Sequence, residues 1–543
     1  MDAPRSSGPP LSLSKSHRQG HTENSATYVA LLVVTNHEKQ PAHGGEGMHS
    51  GYTAQQMIKR KVGRYVRGLS RRLPSPRISS KSRPNILFSF ADQHRWDAMG
   101  CSGEWVETPT LDRIAAEGVR FTNAYTNSPV CIPARVSLAM GRYPFQHRVW
   151  DNRKYTLSPK ADTWMQALRA AGYRTSVFGK VHVFPEKGDL REQEWLVNAY
   201  GFDDVDQVAG PKASIASRSN LTELWRETGV YEAFKEDLKD RLATKKWVVR
   251  PSPLPFELYP DVYVARKAAE YLRDYEGDQP WFCWVGFPGP HEPWDAPEPY
   301  GSRYSPDSMP HPAPRMERRN PEPTGFLDKR LADPIPFEDG DVAKMRANYA
   351  GSVSLIDEEI ARILRVVEER GELDRTVIAF ASDHGEMNGD HGLIYKRTFM
   401  NGAVRIPLLI RAPGDDGFAR GAVSSSPVEL MDVGVTLLRL ARVRRPGRSR
   451  ARSLVPVLKD PNLEHRPVAV AGLRKEIMVA SRDWRMVINR AGEPYVLFDL
   501  QNDPDDSMNL IGDPAHDDTV ARLLKAQWKA QPPLRRATKK GVN

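Results

Sequence analysis

Cysteine is scarce. The chain has three in 543 residues, Cys101, Cys131 and Cys283. Three thiols cannot build a disulfide framework, so a small secreted scaffold is excluded and a reducing, cytoplasmic location is expected. Long apolar runs are missing too. None approaches the roughly 18 residues of a membrane-spanning helix, and Tyr28–Val34 is too short and too far in for a signal peptide. Proline (44) outnumbers glycine (39), and neither recurs at a fixed period, which excludes collagen and coiled coils and leaves a loop-rich globular chain. Acidic residues are few at one end only. Residues 1–83 hold 14 Lys/Arg and 4 Asp/Glu, which accounts for the whole formal charge of +10. The rest is formally neutral, so the basic balance says nothing about what the folded part binds.

Residues 1–83 read as a disordered basic extension. Within it Ile58, Val62, Tyr65, Val66, Leu69 and Leu73 recur at helical spacing among lysines and arginines. That stretch is either a solvated extension or a basic amphipathic helix for a membrane surface or an acidic partner. From Pro84 the texture changes. Asn85–Phe90, Thr175–Phe178, Trp281–Phe287, Thr376–Ala381 and Pro407–Ile410 are short buried-strand runs, and Asp261–Tyr275 and Lys344–Arg370 have helical periodicity. Strands alternating with helices predict an α/β unit with a central, mostly parallel sheet over residues 84–442. A smaller α+β subdomain, with an antiparallel hairpin from Glu476–Ile488 and Tyr495–Leu500 and a helix over Thr519–Ala530, is expected within 443–543. The arginines from Arg442 to Arg452 read as a solvated loop. No aromatics are interleaved for stacking bases, so no nucleic-acid partner is expected.

Polar residues collect after the buried strands. Asp92 and Gln93 follow the first, Lys180 and His182 the second, Pro290-His291 the third, and Asp383 and His384 the fourth. Ligands of open α/β sheets bind outside the carboxyl ends of the strands. Asp92 with Gln93 and Asp383 with His384 offer mainly oxygen donors plus an imidazole, which suits Ca²⁺, Mg²⁺ or Mn²⁺. In Cys131-Ile-Pro133-Ala-Arg135, Pro133 suits the first turn of a helix, placing Cys131 where the dipole favours a negative atom. Arg135, one turn later, is positioned to hold an anion. Cys101 and Cys283 have no such surroundings and read as small buried hydrophobes.

Cys131-Ile-Pro133-Ala-Arg135 followed by Met140-Gly-Arg142 resembles the type I sulfatase signature. Gly179-Lys180-Val-His182 resembles the family's second signature, Asp92 and Ser382-Asp383-His384-Gly385 its metal-binding stretches, and Lys396 ahead of Val404–Pro407 its later lysine. Leu497–Pro504 with Asn509-Leu510 resembles its C-terminal subdomain. The resemblance covers about Pro84 to Pro533. It implies an alkaline-phosphatase-like α/β sandwich that hydrolyses sulfate esters with a divalent cation, Ca²⁺ first. The cation's ligands would be Asp92, Gln93, residue 131, Asp383 and His384. It also implies a Cα-formylglycine made from Cys131 by a formylglycine-generating enzyme. Arg135, Lys180, His182, His291 and Lys396 would be the catalytic partners, with Lys180, Lys396, His291 and Asn152 against the substrate. Asp383 is expected as a ligand and base, His291 as the acid for the leaving oxygen and His182 as the acceptor of the hydrate's proton.

The chain departs from the pattern at Ile132 and Ala134, where many members have a small residue and a serine. It departs again at Gln93 and His384, where a second Asp and an Asn are commoner. Asp-Gln with Asp-His also occurs in relatives that hydrolyse phosphonate monoesters and phosphodiesters, so that activity stays open. A non-catalytic binding protein with a tethering basic tail is the third reading. Residues 205–336, with Trp281, Trp284 and Trp294, are expected to supply either substrate-stacking aromatics or core. The oligomeric state, a homo-oligomer included, stays open.

Overall fold

The computed structural model describes residues 83–153, 155–316, 324–414, 416–445, 447 and 449–530. The basic extension, its helical stretch and the C-terminal tip from 531 on lie outside the described residues. An eight-stranded sheet forms the centre: β1 (Asn85–Ala91), β2 (Val119–Phe121), β3 (Arg174–Gly179), β4 (Asp204–Gln207), β5 (Trp281–Gly286), β6 (Thr376–Ser382), β7 (Leu408–Arg411) and β8 (Ala422–Ser424). Their spatial order is β8-β2-β7-β6-β1-β5-β3-β4. Every pairing is parallel except those of β7, which runs antiparallel to both β6 and β2.

The antiparallel β7 corrects the expectation that Pro407–Ile410 joins the parallel set. The chain from 383 to 407 stays at the carboxyl edge of the sheet, where it delivers Asp383, His384 and Lys396. The next strand therefore starts at that edge and must run back.

Alternation along β1 explains the two cores. Ile86, Phe88 and Phe90 point to one face and Leu87 and Ala91 to the other. On the first face lie α1 (Cys131–Met140), α2 (Trp164–Ala170) and, from further along the chain, Asp432–Leu440. On the second pack Pro260–Asp274 and the 29-residue helix Asp341–Glu369. Trp281, Trp284 and Trp294 are 0%, 3% and 2% exposed. Trp284 meets Phe88 at 5.0 Å and Trp164 at 6.1 Å. All three tryptophans are core, which settles the open choice between stacking substrate and packing.

A second sheet is a four-stranded antiparallel meander: β9 (Ala469–Leu473), β10 (Glu476–Ala480), β11 (Trp484–Ile488) and β12 (Pro494–Asp499). The run Glu476–Ile488 is thus two strands, not one. Ser481 Oγ accepts from the amides of Asp483 (3.3 Å) and Trp484 (3.0 Å) and turns the chain between them. The β9–β10 turn is built from Arg474 and Lys475, both at positive φ (49° and 68°), without the glycine or asparagine that marks such turns. Between the sheets, Val457 and Leu458 belong to the core of the large one. The second sheet braces the approach to α1: the amide of Gly472 donates to the carbonyl of Asn127 at 2.9 Å, and Val130 packs with Ala471 and Phe498. Among the described residues no helix is long and apolar enough to cross a membrane.

Candidate active site

Cys131 is the first residue of α1, and the residue before it, Val130, caps in extended conformation with no side-chain bond of its own. The cap comes from elsewhere. Asn152 Oδ1 accepts from the Ile132 amide at 2.9 Å. Asn152 is therefore a helix cap here; its acceptor fills the need of an otherwise orphaned amide. Gly141 closes the helix at φ 62°, where a Cβ would lie 2.1 Å from Ser449 Oγ.

Three strand ends converge on the thiol. Asp92 follows β1, Lys180 follows β3, and Asp383 and His384 follow β6. Asp92, Cys131, Asp383 and His384 each place one ligand atom within 4.8 Å of all the others, and all four residues are buried. Cys131 Sγ is 3.2 Å from His384 Nε2 and 4.0 Å from Asp92 Oδ1. Arg135, fully buried, pairs through Nε with Asp383 at 2.7 Å, through Nη2 with Asp92 at 3.0 Å, and through Nη1 with the Lys180 carbonyl at 2.9 Å. The anions it holds in this structure are these two carboxylates. Lys180 Nζ lies 2.7 Å from Asp92 Oδ2.

Charge balance follows from this packing. Burial and the Cys131 sulfur push the Asp92 carboxyl up, yet Lys180 and Arg135 outweigh them and hold it well below the usual carboxylate range. Burial also raises the Cys131 thiol. Lys396, His384 and hydrogen bonds from His182 and His291 reverse that and hold it well below an ordinary thiol. Burial lowers His384, but Asp383 and Cys131 bring it up to about 9. Cys101 and Cys283, lacking cations of this kind, are pushed by burial to about 12. Cys131 is the reactive sulfur of the three.

The site's other wall is a buried polar network. His291 Nδ1 donates to the Glu292 carbonyl at 2.9 Å, leaving Nε2 to accept from Lys396 Nζ at 2.7 Å. The Gln93 carboxamide belongs to this network, on a backbone at φ 70°. Its Nε2 donates to Glu292 at 2.8 Å and to Glu386, and its Oε1 accepts from Lys396. Three charged neighbours share the one amide. Lys212 reaches Glu292 at 2.7 Å. Burial raises the Glu292 carboxyl, but His291, Lys396 and Lys212 hold it well below its usual range. Glu386 is the counterpart, pushed up to about 7 by burial and by Glu292.

Glu292, Glu386 and Lys212 were not read from the sequence. The two glutamates stand one and two residues after His291 and His384, and that adjacency was the available signal. Lys212 had none.

Beneath the His291 loop lies Asp261, which accepts from the Gly289 amide at 2.9 Å. Burial pushes its carboxyl up to about 7, partly offset by that amide. A raised folded value means stability present below about pH 4 and lost as the pH climbs through 7. Asp261→Asn keeps the acceptor and does not titrate. The variant is expected to gain on wild type between pH 4 and 8, by up to about 4 kcal/mol, in paired thermal melts across that range. A constant difference between the two melts at every pH would refute the assignment.

A family model described as sulfatase matches residues 84–443, and one described as N-sulphoglucosamine sulphohydrolase, C-terminal, matches 389–532. The arylsulfatase of Clostridium perfringens is 29% identical over 471 residues, covering 82% of this chain and 93% of that protein. The multifunctional alkaline phosphatase superfamily protein PehA of Trinickia caryophylli is 28% identical over 483 residues, covering 80% and 92%. Among solved structures, the phosphonate monoester hydrolase of Agrobacterium radiobacter superposes with a TM-score of 0.69 at 25% identity, over 83% of this chain and 96% of that one. The matched span contains the large sheet, the cysteine helix and the strand ends that meet at Cys131, and the chain belongs to the sulfatase family as a sulfuric ester hydrolase.

Proposed function

We propose that the enzyme uses residue 131 as a Cα-formylglycine, made from Cys131 by a separate modifying enzyme, and one divalent cation, Ca²⁺ in preference to Mn²⁺ or Mg²⁺. The observation that carries this is the buried meeting of Cys131, Asp92, Asp383 and His384 at the start of α1. Two carboxylates and an imidazole are a donor set that fits a hard divalent ion, with Asp92, Asp383, His384 and residue 131 holding it. Such an ion supplies Lewis-acid charge beside the sulfur, and a hydrated aldehyde supplies an oxygen nucleophile with a second hydroxyl through which sulfate is released.

The chain's own groups do the rest. Arg135 fixes both carboxylates in place. Lys180 and Lys396 bring ammonium groups to the site and neutralise the sulfate oxygens as charge develops. To act as the acid, His291 carries a proton on Nε2 in place of the bond that this atom accepts from Lys396, and that proton goes to the leaving oxygen. His182, which follows β3 beside Lys180, takes the proton as sulfate departs. We further propose a cytoplasmic location, on the three free cysteines.

The test is the mass of the tryptic peptide Phe121–Arg135 from protein made with the modifying enzyme present. An aldehyde supports the reading. An intact thiol, with Ile132 in the position the modifying enzyme reads, would sink it.

Phosphonate monoester hydrolysis at the same site is the second reading. Asp92-Gln93, Asp383-His384 and the structural likeness to a phosphonate monoester hydrolase favour it. A panel of aryl sulfate, phenyl phosphonate and phosphodiester separates the two: sulfate turnover ahead of the others supports the first reading, and phosphonate ahead of sulfate the second.

A further inference from the structure

One cavity lies away from the chemistry. It measures about 810 Å³, within the range of small-ligand sites. Arg83 and Pro84 enter it just before β1, Asp374 and Arg375 just before β6, and Pro413 and Gly414 just after the antiparallel β7. These are the amino ends of the parallel strands. Asp92 and Asp383 sit at the other ends of the same seven-residue strands, so about 20 Å of sheet separates the cavity from the catalytic cluster.

Its lining is strongly cationic. Arg439, Arg442 and Arg444 line it, and none has a carboxylate within ion-pair distance among the described residues. Lys459 stands over the Phe418 ring at 5.1 Å with its Nζ bonded to the Asp416 carbonyl. Arg83 is 8% exposed, donates Nη1 to the Ala171 carbonyl, and leaves Nε without an acceptor. Of the opposing charges, Asp374 is already engaged by Arg411 at 3.7 Å and Asp416 is the second lining carboxylate; among the described residues Arg375 is the one lining arginine tied to a carboxylate, Glu372 at 2.7 Å. Phe418, Leu440 and Val443 add an apolar wall.

The backbone adds a separate observation. Arg442 follows the helix Asp432–Leu440 and Ala441 at φ 54°, the left-handed position that glycine fills most cheaply. A guanidinium there is held at a cost in backbone strain, which is a common mark of ligand clamps. The chain's own N-terminal segment has the wrong sign to fill the cavity. Residues 1–82, joined to it at Arg83, carry 13 Lys/Arg against 4 Asp/Glu.

We propose that this cavity binds a small organic anion carrying two or more phosphate or sulfate charges on an apolar or ring-shaped body. Planar guanidinium groups pair with tetrahedral oxyanions in two-point fashion, and the apolar wall takes the body. The site is independent of the catalytic reading, since none of its residues touches the cluster at Cys131.

Calorimetric titration of the full-length enzyme with ATP and with naphthalene-1,5-disulfonate tests it. Saturable binding of one ligand per chain is expected, weakening as salt rises. Binding of ATP alone assigns the site to phosphates, and binding of the disulfonate alone to sulfates or sulfonates. Charge reversal at Arg439, Arg442 and Arg444 together is expected to weaken binding at least about tenfold, with kcat/KM for an aryl sulfate unchanged. The milder Arg439→Gln/Arg442→Gln pair serves if the triple variant does not fold. No saturable binding of either probe overturns the proposal, and so does binding that both variants leave intact.

Discussion

Alanine in place of Cys131 removes sulfate-ester hydrolysis while the protein still folds. Residue 131 stands within 4.8 Å of ligand atoms of Asp92, Asp383 and His384 together, which makes it the nucleophile at that cluster. Loss of kcat/KM is expected at about 10⁴-fold or more, the scale on which a nucleophile's removal falls. Cys131 starts α1 without capping it, and Asn152 continues to cap the Ile132 amide, so the helix has no local reason to unwind. Far-UV circular dichroism and gel filtration are expected to match wild type. Cys283→Ala, within β5 of the central sheet and in the apolar core, is the comparison and is expected to keep its activity. Alanine at 131 with more than about a hundredth of wild-type kcat/KM would show that the chemistry lies elsewhere.

Arg135→Met is the second large effect, and it acts on folding as well as on rate. The guanidinium is completely buried with two carboxylates against it. Removing it leaves Asp383 without its strongest partner and Asp92 with Lys180 alone. Breaking a buried pair costs about 3–5 kcal/mol, because the abandoned charge stays out of water. In metal-depleted protein the denaturation midpoint is expected to fall accordingly, and kcat/KM to drop by about 10²-fold or more as the carboxylates lose their fixed places. Arg135→Lys is expected to recover only part of either loss, since one ammonium cannot span both carboxylates and the Lys180 carbonyl. Full recovery by lysine would show that charge alone, without the planar geometry, holds the cluster.

Much of the frame was legible because it depends on short-range pattern. The buried runs at Asn85–Phe90, Thr175–Phe178, Trp281–Phe287 and Thr376–Ala381 are strands within a residue or two of their predicted bounds. A parallel sheet buries both faces, and unbroken apolar runs are its direct imprint. The order of residues after those runs already placed carboxylate, ammonium and imidazole at one edge. The break at Ser481 and the turn at Arg474-Lys475 were hidden because a side-chain acceptor and two basic residues at positive φ do the work usually marked by glycine or asparagine.

What the sequence by itself determined was the sheet, the helix that begins at Cys131 and the set of groups brought to its start. All of these follow from residue type and spacing along a single stretch of chain. Tertiary structure alone decided how those groups divide their labour. Arg135 clamps Asp92 and Asp383, Asn152 caps the helix at the Ile132 amide, and the Gln93 carboxamide bonds Lys396, Glu292 and Glu386. Each outcome is a pairing of polar or charged groups that lie from 20 to about 300 residues apart. A buried polar group takes whichever partner best repays its lost water, and which partner that is depends on distances that no local pattern contains.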